Sequence, residues 1–123
     1  MRHFLTVFMF LCSTSAFAWT PWSEFTDTEK TAYVLKMIAV TADYRQTTEI
    51  AKNPDKWEEG NPLWGTRHPS PAHVRNRFLI TGLALGMLPF WSDTYRKRIQ
   101  NGVTIGLVLN ASRNAYLGLN VKF

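Results

Sequence analysis

The chain has 123 residues, 46% of them hydrophobic and 19% charged, with a formal net charge of +5 and a single cysteine. That length supports one hydrophobic core but not two. The lone Cys12 excludes a disulfide framework, and its place in the expected leader removes cysteine nucleophiles and thiolate metal sites from the processed chain.

Residues 1–18, MRHFLTVFMFLCSTSAFA, combine a basic start, an apolar run over 4–11 and small residues ending in Ala16-Phe17-Ala18. This is the three-part layout of a secretory signal cleaved after Ala18. The apolar run falls short of the roughly 20 residues a spanning helix needs, and Cys12 lacks the small residues that precede a lipoprotein cysteine. Residues 19–123 then form a single domain with uneven charge. From 19 to 60 there are eight acids against five Lys or Arg; from 61 to 123 there is one acid, Asp93, against eight. Such asymmetry points to a charged surface partner.

The first helix is predicted to start near Asp27 or Thr28, where Thr26, Asp27, Thr28 and Glu29 offer capping oxygens and first-turn acids. It continues through EKTAYVLKMIAVTADYRQTTEIAK and must stop before Asn53-Pro54. Residues 32–42 are apolar nearly all round apart from Lys36 and Thr41, which predicts burial on more than one side. Residues 53–71 read as a rigid Pro/Gly-rich connector, with proline fixing one backbone angle and glycine admitting positive ones. It is expected to hold Glu59, Asn61 and Trp64 against a helix end. Pro71 opens a second helix, PAHVRNRFLITGLALGMLPFW. Ser92 and Asp93 cap a third that extends as far as Asn120. The expected fold is all-α, a small bundle of about three helices.

Whether the bundle enters a membrane turns on opposing signals. The apolar stretch 78–91 is 14 residues long, short for a full span. Asn110, Arg113 and Asn114 interrupt the third helix at a cost against lipid. Gly82, Gly86, Gly102 and Gly106, at four-residue spacing, supply the small-xxx-small pattern of close helix approach in membranes. Trp19, Trp22, Phe25, Phe90 and Trp91 cluster at segment ends, as in an interfacial belt. The balance favours a membrane-embedded bundle with transmembrane helices over a soluble exported one. Membrane lipids or an envelope protein are the expected partners, at the bacterial inner membrane or alternatively in the periplasm. Nucleic acid is not expected, since no nucleic-acid motif is present.

Within the bundle, Asp43, Gln46 and Thr47 share a helical face, and Asn110, Arg113 and Asn114 form a similar group on the third helix. Asp43 is expected to face Arg113, so that two isolated buried charges become one hydrogen-bonded pair. His68 and His73, with Asp55, Glu58 or Glu59, offer nitrogen and oxygen ligands, but their spacing matches no metal motif. No metal or cofactor is expected. Glu59 with His73 is the corresponding acid/base pair. The chain carries no G-x-S-x-G, phosphate loop or H-E-x-x-H. Binding is therefore favoured over catalysis. The alternative is a membrane-associated enzyme or lipid-binding protein using Asp43, Glu59, His73 and Arg113.

The order Asp43-Tyr-Arg-Gln46-Thr47, Glu59-Gly-Asn61-Pro62-Leu-Trp-Gly65 and His68-Pro69-Ser70-Pro71, followed by an apolar helix, a basic turn and an Asn-containing last helix, resembles a group of small bacteriophage and prophage membrane proteins. The resemblance runs from about Thr26 onward and rests on D-x-x-Q-T and E-x-N-P-x-x-G. It implies a compact helical inner-membrane protein, with Asp43, Gln46, Thr47, Glu59, Asn61, Pro62 and Gly65 as motif positions. It implies no established reaction. The signal, small size and charge asymmetry point to binding of a host envelope or membrane component, with effects on lysis timing, superinfection or another envelope process.

Overall fold

The computed structural model describes residues 19–119, so the expected signal segment and its cleavage site lie outside the described residues. Three α-helices carry the fold, and no strand occurs among the described residues: α1 (Asp27–Lys52), α2 (Pro71–Trp91) and α3 (Gln100–Tyr116). A π-helical turn, Tyr95–Ile99, leads into α3, and short 3-10 turns sit at Trp22–Glu24 and Pro62–Trp64.

Each boundary has a local cause. At the start of α1 a capping box closes reciprocally: Glu29 N–H donates to Thr26 Oγ1 at 3.2 Å, and Thr26 N–H donates to Glu29 Oε2 at 2.9 Å. Both bonds satisfy donors that an open helix end would leave bare. The helix stops at Asn53, ahead of Pro54, with the Asn53 amide donating to Glu49 O at 3.0 Å. α2 begins with Ser70 Oγ accepting from His73 N–H at 3.2 Å and Pro71 in the first turn, where a missing N–H costs nothing. Ser92 serves two helices. Its N–H donates to Leu88 O at 2.8 Å, closing α2, while its hydroxyl accepts from Tyr95 N–H at 3.2 Å and caps the next helical run. α3 ends at Tyr116 rather than Asn120, because Gly118 takes φ 99° and the Leu119 N–H turns back to Asn114 O at 2.9 Å.

α1 is the central helix, packing on α3 along one side and on α2 along another. Contacts run from Glu29 with Gln100 to Gln46 with Asn114, so α1 and α3 are parallel. Contacts from Tyr33 with Phe90 to Tyr44 with Phe78 set α2 antiparallel to both. At the Tyr33 end, Trp19 stacks on Phe90 with centroids 4.8 Å apart, and Trp22 and Phe25 close over the same ring. The aromatics at the segment ends thus form one cluster.

The glycine pattern works differently from the expectation. A Cβ on Gly82, Gly102 or Gly106 would meet nothing within 4 Å, so none of the three serves close helix approach among the described residues. Gly86 does face α1, with Met37 Cε and Tyr33 Oη each 3.8 Å from such a Cβ. No helix among the described residues is long and apolar enough to cross a membrane.

Glu29 has a second role. Its carboxylate lies 3.4 Å from the buried Arg96 Nε, an ion pair not aligned for hydrogen bonding. Thr26→Ala is expected to cost about 1 kcal/mol through the cap alone, whereas Glu29→Gln keeps the cap and removes one of the two carboxylates paired with the buried Arg96, Asp93 being the other, costing more. Urea denaturation of the two variants decides between them. A smaller loss for Glu29→Gln than for Thr26→Ala refutes the second role.

Candidate functional site

Lys36, Gln46, Thr47, Arg96, Gln100 and Thr104 are buried, while Leu35, Ile38, Leu79, Ile80, Leu83, Ile105 and Leu109 are exposed. The candidate site lies in the polar interior, along the seam where α1 meets α3. Buried polar groups must be hydrogen-bonded, and here the bonds cross between helices.

At the connector end of that seam the D-x-x-Q-T residues come together. Asn110 Nδ2 donates to Asp43 Oδ1 at 2.9 Å. Gln46 Nε2 donates to Ala111 O at 3.0 Å and to Leu119 O at 3.1 Å, and its Oε1 accepts from Asn114 Nδ2 at 3.3 Å. Thr47 is buried beside them, one turn along the same face of α1 as Asp43. The Asp43–Arg113 pair does not form. Arg113 is exposed, and the acid is held by Asn110 instead. Asn110 and Asn114, four residues apart, take the inward positions on α3, and Arg113 lies on the exposed edge of that face.

The connector motif spells a turn. Glu59 Oε1 accepts from Asn61 N–H at 2.8 Å, and Asn61 Oδ1 accepts from Leu63 N–H at 3.0 Å. Pro62 starts the 3-10 turn, and Gly65 closes it at φ 68° with its N–H on Pro62 O. Glu59 N–H donates to Arg67 O at 2.8 Å, joining the two arms of the loop. Trp64 is thereby buried against Phe78 and His73, with the Arg77 guanidinium 4.5 Å from its ring. These bonds close the connector loop, and each of Glu59, Asn61, Pro62 and Gly65 has a part in shaping it.

His73 stands apart from Asp43. It is exposed on the first turn of α2 against Trp64, while Glu59 is engaged by Asn61, so the two have different partners. Among the described residues no group of three or more His, Cys, Asp or Glu side chains is placed to hold a metal ion. His68 approaches only Glu58, at 3.9 Å.

Asp43 is the electrostatically distinctive member. Burial pushes its carboxyl up to about 6 and the Glu59 charge adds to that, against hydrogen bonds from Asn110 and Thr47 that lower it. A carboxyl so placed exchanges its proton near neutral pH.

The other end of the seam was not anticipated. Lys36 is fully buried, donates to Gln100 Oε1 at 3.0 Å, and lies 4.9 Å and 5.2 Å from the centroids of Tyr33 and Tyr95. Among the described residues no carboxylate pairs with it, and burial lowers its amine to about 8. Gln100 Nε2 donates to Glu29 O at 3.1 Å and Thr104 Oγ1 to Ala32 O at 3.1 Å. The available signal was Lys36 inside an apolar stretch, together with Gln100 and Thr104 one helical turn apart.

Comparison of the chain with protein-family models, curated proteins and solved structures returns no match.

Two outcomes test the seam. Gln46→Leu removes the partner of the Leu119 carbonyl and is expected to cost about 2 kcal/mol; an unchanged urea midpoint refutes its role. Asp43 titrates near 6 folded and at 3.8 in the reference state, so the fold holds this proton more tightly. Its contribution is greatest below about 3.8 and is lost as pH rises through about 6. Stability measured between those values should fall less steeply with pH in Asp43→Asn than in the parent. Equal slopes overturn this assignment.

Proposed function

We propose that the protein is an exported, phage-type envelope protein, seated in lipid at the bacterial inner membrane and acting by binding a host envelope or membrane component rather than by catalysis. The observation that carries this reading is an aligned belt. Residues 31–44 of α1, 78–91 of α2 and 99–112 on the α3 side each contain 14 positions. The only charged side chains among them, Lys36 and Asp43, are turned into the seam.

The parallel register of α1 with α3 and the antiparallel register of α2 bring the three windows to one level. Each is about 21 Å long at 1.5 Å per residue. Val34, Leu35, Ile38, Leu79, Ile80, Leu83, Ile105, Val108 and Leu109 are exposed within the belt. Lys30, Arg77, Arg98, Arg45 and Arg113 bound it, and Trp19, Trp22 and Trp91 gather at one rim. Contiguous exposed apolar surface of this kind marks an interaction site, and rim tryptophans suit a lipid boundary. The belt is thinner than the roughly 30 Å hydrocarbon core, so the proposed seat is partial. Lipid covers the belt while the polar seam stays inside.

The test is alkaline carbonate extraction of the full chain expressed with a C-terminal tag. Retention in the membrane pellet is expected, with Leu83→Glu/Ile105→Glu shifting the folded protein toward the supernatant. Complete release of the parent overturns the membrane seat. Expression is also expected to change host growth or phage sensitivity, and no change in either refutes the host-binding role.

A further inference from the structure

Between α1 and α2, Val40, Thr41, Tyr44, Phe78 and Leu79 line an open groove of about 310 Å³, with Arg75 at its edge. Tyr44 also lines a second hollow of about 610 Å³, bounded by Arg45, Glu49, Lys52, Lys56 and Trp57. Both volumes fall in the range of ligand pockets, roughly 300–1,000 Å³. The two hollows differ in chemistry. The groove walls are aliphatic and aromatic; the cavity gathers three cations and one acid. That acid, Glu49, accepts from Asn53 Nδ2 at 2.9 Å. Among the described residues, none of Arg45, Lys52 and Lys56 makes an ion pair. Lys56 lies 5.3 Å from the Trp57 ring centroid.

We propose that the groove and cavity together hold one anionic phospholipid, an acyl chain lying along Val40, Phe78 and Leu79 and the phosphate among Arg45, Lys52 and Lys56. An apolar slot that meets an unneutralised cationic hollow fits a ligand with a long hydrocarbon tail and an anionic head, and neither half alone would favour it. Position agrees with chemistry. Val40, Phe78 and Leu79 lie inside the belt, whereas Arg45 lies one residue beyond its connector edge and Lys52 about two helical turns further, on the headgroup side. Cations at that level attract anionic lipid, and Tyr44, packed on Phe78 with centroids 5.3 Å apart, forms the shared wall. The inference rests on the membrane reading above and names the component bound.

Native mass spectrometry of the full chain in detergent, titrated with phosphatidylglycerol, phosphatidylcholine or glycerol phosphate, tests it. One retained phosphatidylglycerol is expected, bound roughly tenfold more tightly than phosphatidylcholine. Arg45→Gln/Lys52→Gln/Lys56→Gln should abolish that preference, and Leu79→Asn should weaken retention of the lipid. Lys97→Gln/Arg98→Gln, which removes exposed charge near the opposite rim, should leave the preference intact; circular dichroism checks that each variant is folded. Equal binding of phosphatidylcholine, a preference that survives the triple substitution, or equal loss in the opposite-rim variant overturns the site. Glycerol phosphate binding as tightly as the lipid also overturns it, because the ligand would then be a free phosphate. Carbonate-resistant protein without lipid preference removes this site and leaves the membrane seat standing. A preference in protein released by carbonate keeps the site and removes the seat.

Discussion

A fully buried lysine, with no carboxylate paired to it among the described residues, sets the terms for the rest of the molecule. Lys36 donates to Gln100 and faces the rings of Tyr33 and Tyr95. Gln100 reaches back to the Glu29 carbonyl. Leaving such groups unpaired inside a protein costs far more than an ordinary hydrogen bond returns, so α3 has little freedom to slide along α1. Thr104 on Ala32, Asn110 on Asp43 and Gln46 on Ala111 repeat the constraint along the seam. Apolar packing tolerates small shifts of register; a row of directional bonds does not.

Spending the interior on polar pairs leaves aliphatic side chains for the outside. The exposed faces of α1, α2 and α3 carry leucine, isoleucine and valine over one shared level, while charged residues occur beyond both edges. The D-x-x-Q-T residues lie at the connector edge of that level, near enough to Glu59 of the connector turn for its charge to act on Asp43. The Glu59 charge reaches Asp43 and helps to keep its proton bound. The two sequence motifs therefore meet, one supplying the acid and the other part of its electrostatic surroundings.

Local chemistry in the sequence located the helices well. Thr26 with Glu29, Asn53-Pro54, Ser70-Pro71 and Ser92 each act through backbone atoms a few residues away. The π turn at Tyr95–Ile99 and the early end at Tyr116 were less legible. The first depends on Arg96 reaching the Pro89 carbonyl and Asp93, the second on the positive φ of Gly118. Partner choice across the seam was the hardest to read. Asp43 is separated from Asn110 by 67 residues and Lys36 from Gln100 by 64. Charge alone favoured Arg113 over Asn110, and the structure leaves Arg113 exposed while Asn110 takes the bond to Asp43.

Those separations also order events in time. α1 and α2 are complete by Trp91, yet the hydrogen bonds that Lys36, Asp43 and Gln46 make across the seam all reach residues in α3 or just after it. During synthesis, at about 5–20 residues per second, the inward face of α1 therefore waits with unmet donors and acceptors until the last helix arrives. Long-range pairing of this kind slows folding. Until α3 docks, nothing has yet distinguished the polar interior of the bundle from its exterior. The last helix to be made completes the partition between inside and outside.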